Sequence, residues 1–142
     1  MFSSAHIHPM MVHFPIAIIA VGFLADILSL IIKKDTCLPK MAYYLEIAGM
    51  LGTIAAFGTG YFLTSPMEGE TGAMREKHEL FATITLIVII FATCYRGMII
   101  YLKKDESFHK YIALFLFFIS FVFVSITGFL GGSLVLDYMI GI

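Results

Sequence analysis

The stretch Val12–Ile32, VHFPIAIIAVGFLADILSLII, decides the fold. Its only Asp, Glu, Lys or Arg is Asp26. About 20 predominantly apolar residues suffice to cross a bilayer core as a helix, so the stretch reads as a membrane span. Three runs of similar length follow, at about Ala42–Leu63, Leu80–Leu102 and Tyr111–Leu130. Little of the 142-residue chain is left over.

Composition agrees. The chain is 60% hydrophobic and only 13% charged, with a mean hydropathy of +0.95. Soluble domains are about one quarter charged. The length allows one domain, and a net charge of −1 offers no electrostatic footprint for nucleic acid. No Lys or Arg precedes the first run and no small-residue cleavage site follows it, so a cleaved signal peptide is not expected. Two cysteines make no disulfide framework, and Cys37 and Cys94 are not expected to pair. The expected fold is all-α: a single integral membrane domain with helices at about 12–32, 42–63, 79–102 and 110–131. Short connections force neighbouring helices antiparallel, which gives a four-transmembrane-helix up-down bundle.

The basic residues orient it. Lys33, Lys34 and Lys40 surround the first connection; Lys103, Lys104 and Lys110 surround the third, with Arg96 close by. The middle connection is acidic, with Glu68, Glu70, Glu76 and Glu79 against Arg75 and Lys77. Cytoplasmic loops carry the excess of Lys and Arg. Both termini and the middle loop therefore belong on the non-cytoplasmic side of an inner (cytoplasmic) membrane.

That topology gathers the histidines. His6, His8, His13 and His78 fall on the non-cytoplasmic side, and His109 stands alone opposite as an interface residue. His13 opens the first helix and His78 the third, at similar depth. Two imidazoles level with each other on different helices suit axial ligation of haem b. With His8 as a third nitrogen and Glu79 as an oxygen ligand or supporting partner, the same residues suit a zinc or copper ion. A third reading is a cluster of interfacial histidines that bond one another and cap helix starts. Pro9 disfavours helical backbone at His8, so His8 is expected on extended chain folding back toward His13. Pro15 suits a first helical turn, and His6 is expected to be solvated. The stripe Gly49, Gly52, Ala56 and Gly60 lies on one helical face and admits a flat macrocycle or another helix.

A second group sits near the cytoplasmic side. Asp26, Glu46 and Arg96 lie seven, six and seven residues from Lys33, Lys40 and Lys103 respectively, roughly 9–11 Å at 1.5 Å per residue. Ionisable groups at membrane depth pair inside a bundle. An Asp26–Arg96 ion pair is expected, with Glu46 joining it or remaining protonated, either as a structural clasp or as part of a proton relay. Ser65–Gly72 carries strong turn signals. Gly131 and Gly132 are expected to end the fourth helix or let its last turn pack closely, leaving the apolar tail 134–142 along the interface or over the histidines. Phe115, Phe117, Phe118, Phe121 and Phe123 circle the fourth helix, so some must face lipid.

The residues also carry a resemblance. His8–Pro9–Met10–Met11–Val12–His13–Phe14–Pro15–Ile16–Ala17 resembles the opening signature of the domain-of-unknown-function family 2231, small predicted membrane proteins. The family's later aspartate falls on Asp26 and its helix-three histidine on His78. Its closing Gly-x-Leu-Gly-Gly-x-Leu-Val falls on Gly128–Val135. Two acidic positions of the family pattern are occupied here by Tyr61 and Ser133. The resemblance implies a layout similar to four-helix haem-b membrane proteins and a role beside redox domains.

The expected function is a haem-b-binding membrane protein or redox-complex subunit carrying electrons near the periplasmic face. The alternatives are a cofactor-free structural subunit of a larger membrane complex and a periplasmic-side metal-binding accessory protein. No phosphate-binding glycine loop, His-Glu-x-x-His or Cys-x-x-Cys is present, and an independent enzyme is not expected.

Overall fold

The computed structural model describes residues 7–32, 34, 37–64, 67–104 and 107–137. His6, Lys33, Ser65, Pro66 and the tail 138–142 lie outside them, and with them the solvated His6, part of the middle turn and the end of the tail. The described residues form five helices: α1 Ile7–Met11, α2 His13–Ile31, α3 Cys37–Leu63, α4 Gly69–Tyr101 and α5 Ser107–Asp137.

Helices α1 and α2 are one span, Ile7–Ile31, interrupted only at Val12. Pro15 is the cause: without an N–H it cannot bond the carbonyl of Met11. Val12 itself stays helical (φ −65°, ψ −23°) and its N–H bonds His8 O at 3.1 Å. His8 is therefore helical, not extended. Pro9 falls in the first turn, where helices tolerate proline and the chain ahead of it is not yet committed.

The other helices outrun their apolar runs. α4 begins at Gly69, whose φ of +68° suits a residue without Cβ at the turn. It ends in a Schellman motif: Lys104 N–H bonds Ile99 O at 3.0 Å and Lys103 N–H, at φ 53°, bonds Ile100 O at 3.2 Å. α5 continues through Gly131 and Gly132 to Asp137, so those glycines do not terminate it. In water a glycine pair readily ends a helix; in hydrocarbon every released backbone group would be unsatisfied, which keeps the helix intact.

The four spans pack as two hairpins, α2 on α3 and α4 on α5, joined by smaller α3–α4 and α2–α5 interfaces. The core is Ile19, Ile89, Phe117 and Val124, with Phe23 stacked on Phe121 at 5.2 Å. Glycines set the close approaches. A Cβ on Gly49 would lie 2.6 Å from Ile19 Cγ1, and one on Gly128 would lie 2.8 Å from Ile16 Cδ1. Hydroxyls are satisfied within their own helices: Thr53 donates to Gly49 O, Thr93 to Ile89 O and Ser120 to Leu116 O. This back-bonding lets polar side chains sit at bilayer depth. Outside, Phe62, Tyr101 and Phe129 are exposed, as are Phe115 and Phe118, while Phe117 is fully buried. All four spans are long and apolar enough to cross a membrane.

Candidate functional site

The two hairpins part at one end around a cavity of about 700 Å³. His8 and His78 both line it, with ring centroids 6.2 Å apart and planes at 77°. Each ring is held from behind by the neighbouring helix of its own hairpin. His8 Nδ1 donates to Ala56 O at 3.1 Å, and Thr59 Oγ1 is at the same distance. His78 Nδ1 donates to Thr127 O at 3.1 Å. A carbonyl only accepts, so the proton is on Nδ1, and in a neutral imidazole Nε2 is then a bare lone pair. Glycines form the seats: a Cβ on Gly60 would meet His8 Cε1 at 2.9 Å, and one on Gly131 would meet His78 Cε1 at 3.1 Å. Part of the expected glycine stripe thus packs a helix and part packs an imidazole.

The expected pair of His13 and His78 is replaced by His8 and His78. His13 is exposed, and its Nδ1 donates to Pro9 O one turn back, at 2.6 Å. Five residues separate His8 from His13, about 140° around a helix, so the two rings cannot share a face. Glu79 also lines the cavity, and its Oε1 is engaged 2.7 Å from Arg75 Nε across one turn. His8, His13, His78 and Glu79 thus all line the one cavity, but only the His8 and His78 rings meet. Among the described residues no group of three or more His, Cys, Asp or Glu side chains is placed to hold a metal ion. Leu134, Val135 and Leu136 of α5 line the same cavity, so the described part of the tail does reach the histidines.

The ionic group lies deep at the opposite end. Arg96 Nη2 bonds Asp26 Oδ2, and Arg96 Nε is 3.0 Å from Glu46 Oε2. The Nε–H is not aimed at that oxygen, and neither Glu46 oxygen has a hydrogen-bond partner among the described residues although Glu46 is fully buried. The other face of the guanidinium lies over Phe117, 5.4 Å from the ring centroid. Nothing in the sequence marks that cation–π contact: Phe117 reads there as one of five phenylalanines circling a helix. His109 pairs with the Tyr95 hydroxyl at 2.9 Å. No disulfide joins Cys37 and Cys94.

Four apolar spans with polar side chains turned inward define a multi-pass integral membrane protein. The chain belongs to the family described as "Predicted membrane protein (DUF2231)", which matches residues 4–142. No curated protein and no solved structure matches it.

Proposed function

We propose that this protein holds haem b between His8 and His78, on the non-cytoplasmic side of an inner membrane, as a small electron-carrying subunit of a redox complex. The observation that carries the reading is the paired seating of the two rings. Each Nδ1–H is tied to a backbone carbonyl, the arrangement that orients histidines ligating a metal and leaves Nε2 for it. Two nitrogens are too few for a zinc site, which takes three or four protein ligands. They are enough for haem, which brings four nitrogens of its own and asks the protein for axial ligands. The cavity of about 700 Å³ falls within the usual size of cofactor pockets. Haem, when bound, supplies one-electron chemistry. The protein's own part is to fix two imidazoles, offer a glycine-lined surface and exclude water with Leu134 and Val135.

The second reading is a cofactor-free structural membrane subunit. It is favoured by the edge-on contact of the two rings, which is a closed packing interaction in itself. Detergent-purified protein, scanned with and without dithionite, separates the two. The haem reading expects Soret and alpha bands that are lost in His8→Ala and in His78→Ala and kept in His13→Ala. A colourless protein without iron by elemental analysis establishes the structural subunit instead.

The orientation has its own test. Cys37 is exposed at the first connection, while Cys94 lies within the span Gly69–Tyr101. With the basic connections cytoplasmic, a membrane-impermeant maleimide leaves Cys37 unlabelled in intact cells and labels it after lysis. Labelling in intact cells reverses the assignment.

A further inference from the structure

The two halves of the chain align at a shift of 70 residues. In the sequence, His8 falls on His78, Ile19 on Ile89, and Lys33–Lys34–Asp35 on Lys103–Lys104–Asp105. The buried positions obey the same shift: Ile19, Gly22 and Asp26 of α2 correspond to Ile89, Ala92 and Arg96 of α4. Along the second helix of each half the shift is 71. There Ala42, Glu46 and Thr53 correspond to Ala113, Phe117 and Val124, all buried.

The histidine seats repeat as well. Ala56 O and Gly60 hold His8; Thr127 O and Gly131, at the shift of 71, hold His78. Each half contains two spans, so the halves run in the same sense, and parallel repeats of this kind are related by an axis along the membrane normal.

We propose that the chain is a twofold-repeated helical hairpin whose axis passes between His8 and His78 at one end and between Asp26 and Arg96 at the other. The histidine end is then a single site shared equally by the halves. Its ligand is a group with two equivalent coordination positions on opposite sides, such as six-coordinate haem iron; that ligand class rests on the function proposed above.

Near the other end the equivalence is broken around one side chain. The Arg96 guanidinium lies between Glu46 and Phe117, which are each other's counterparts. The halves are thus alike where they meet the ligand and differ where they meet each other.

Two experiments test this. In the first, haemin is titrated into the detergent-purified protein and into His8→Ala and His78→Ala. The expected result is a six-coordinate low-spin spectrum for the parent. Both variants give one and the same five-coordinate spectrum, with losses of affinity that agree within about threefold. Loss of binding in one variant with none in the other overturns the shared site.

The second exchanges the ionic set between halves, with Asp26→Arg, Arg96→Asp, Glu46→Phe and Phe117→Glu made together. It reads monodisperse folded protein against Asp26→Arg alone, and needs no haem. The exchanged protein is expected to recover most of the parent yield, and a yield no better than that of Asp26→Arg overturns the repeat. If the parent binds no haemin, the haem function and the shared ligand fall, and the exchange alone decides the repeat.

Discussion

Arg96→Leu is expected to remove about 3–5 kcal/mol of stability, the usual consequence of taking one partner out of a buried ion pair. Asp26 and Glu46 would be left as two carboxyls in hydrocarbon with no cation. Asp26 is 9% exposed and Glu46 not at all, so water cannot take over the role of the guanidinium. Thermal unfolding in detergent, followed by helical circular dichroism, reads the loss directly. The complementary variant is Asp26→Leu, Glu46→Leu and Arg96→Leu together. Replacing a whole buried ionic group by apolar side chains is often neutral or stabilising, so the triple variant is expected to melt well above Arg96→Leu. An Arg96→Leu protein that melts with the parent would mean that the ion pair contributes nothing.

The second large effect is steric. Gly49→Val puts a branched side chain where even a Cβ would lie 2.6 Å from Ile19 Cγ1. Ile19 is fully buried in the centre of the bundle and has nowhere to move. The expected cost is about 1–3 kcal/mol, as for other overpacked cores. Ile19→Ala alone is also destabilising, by about 2–5 kcal/mol. Combining the two should restore part of the loss, because each substitution supplies the space or volume the other lacks. Strict additivity of the two melting-temperature shifts would show that α2 and α3 do not meet at these residues.

The spans were legible because length and hydropathy alone define a membrane helix. Asp26 and Arg96 were legible as partners because charges at one depth in a bundle have few alternatives to each other. The histidine pair differs from the expected one for a physical reason. The apolar runs put the helix starts at about 12 and 79, whereas the helices begin at Ile7 and Gly69. α4 therefore continues about 13 Å past His78 at 1.5 Å per residue. His8 moves onto the first span, and His13 is left at the exposed margin of the cavity, bonded to Pro9 O. The carbonyls of Ala56 and Thr127 carry no side-chain signature, so the seats of the rings could not be read at all. The recurrence of His8 at His78, and of Lys-Lys-Asp after each first span, was the available signal for their equivalence.

The position of Arg96 on the third span sets an order of events during synthesis. The first hairpin leaves the ribosome and enters the bilayer carrying Asp26 and Glu46 with no counter-charge yet made. An acidic residue costs insertion roughly 2.5–3.5 kcal/mol at the centre of a span and less toward its end, so this intermediate, with two of them, is a poor resting place. Only when α4 arrives does the arginine become available, and it arrives carrying its own insertion cost. Neither half is comfortable in lipid by itself; each makes the other's entry favourable, which ties completion of the fold to completion of the chain.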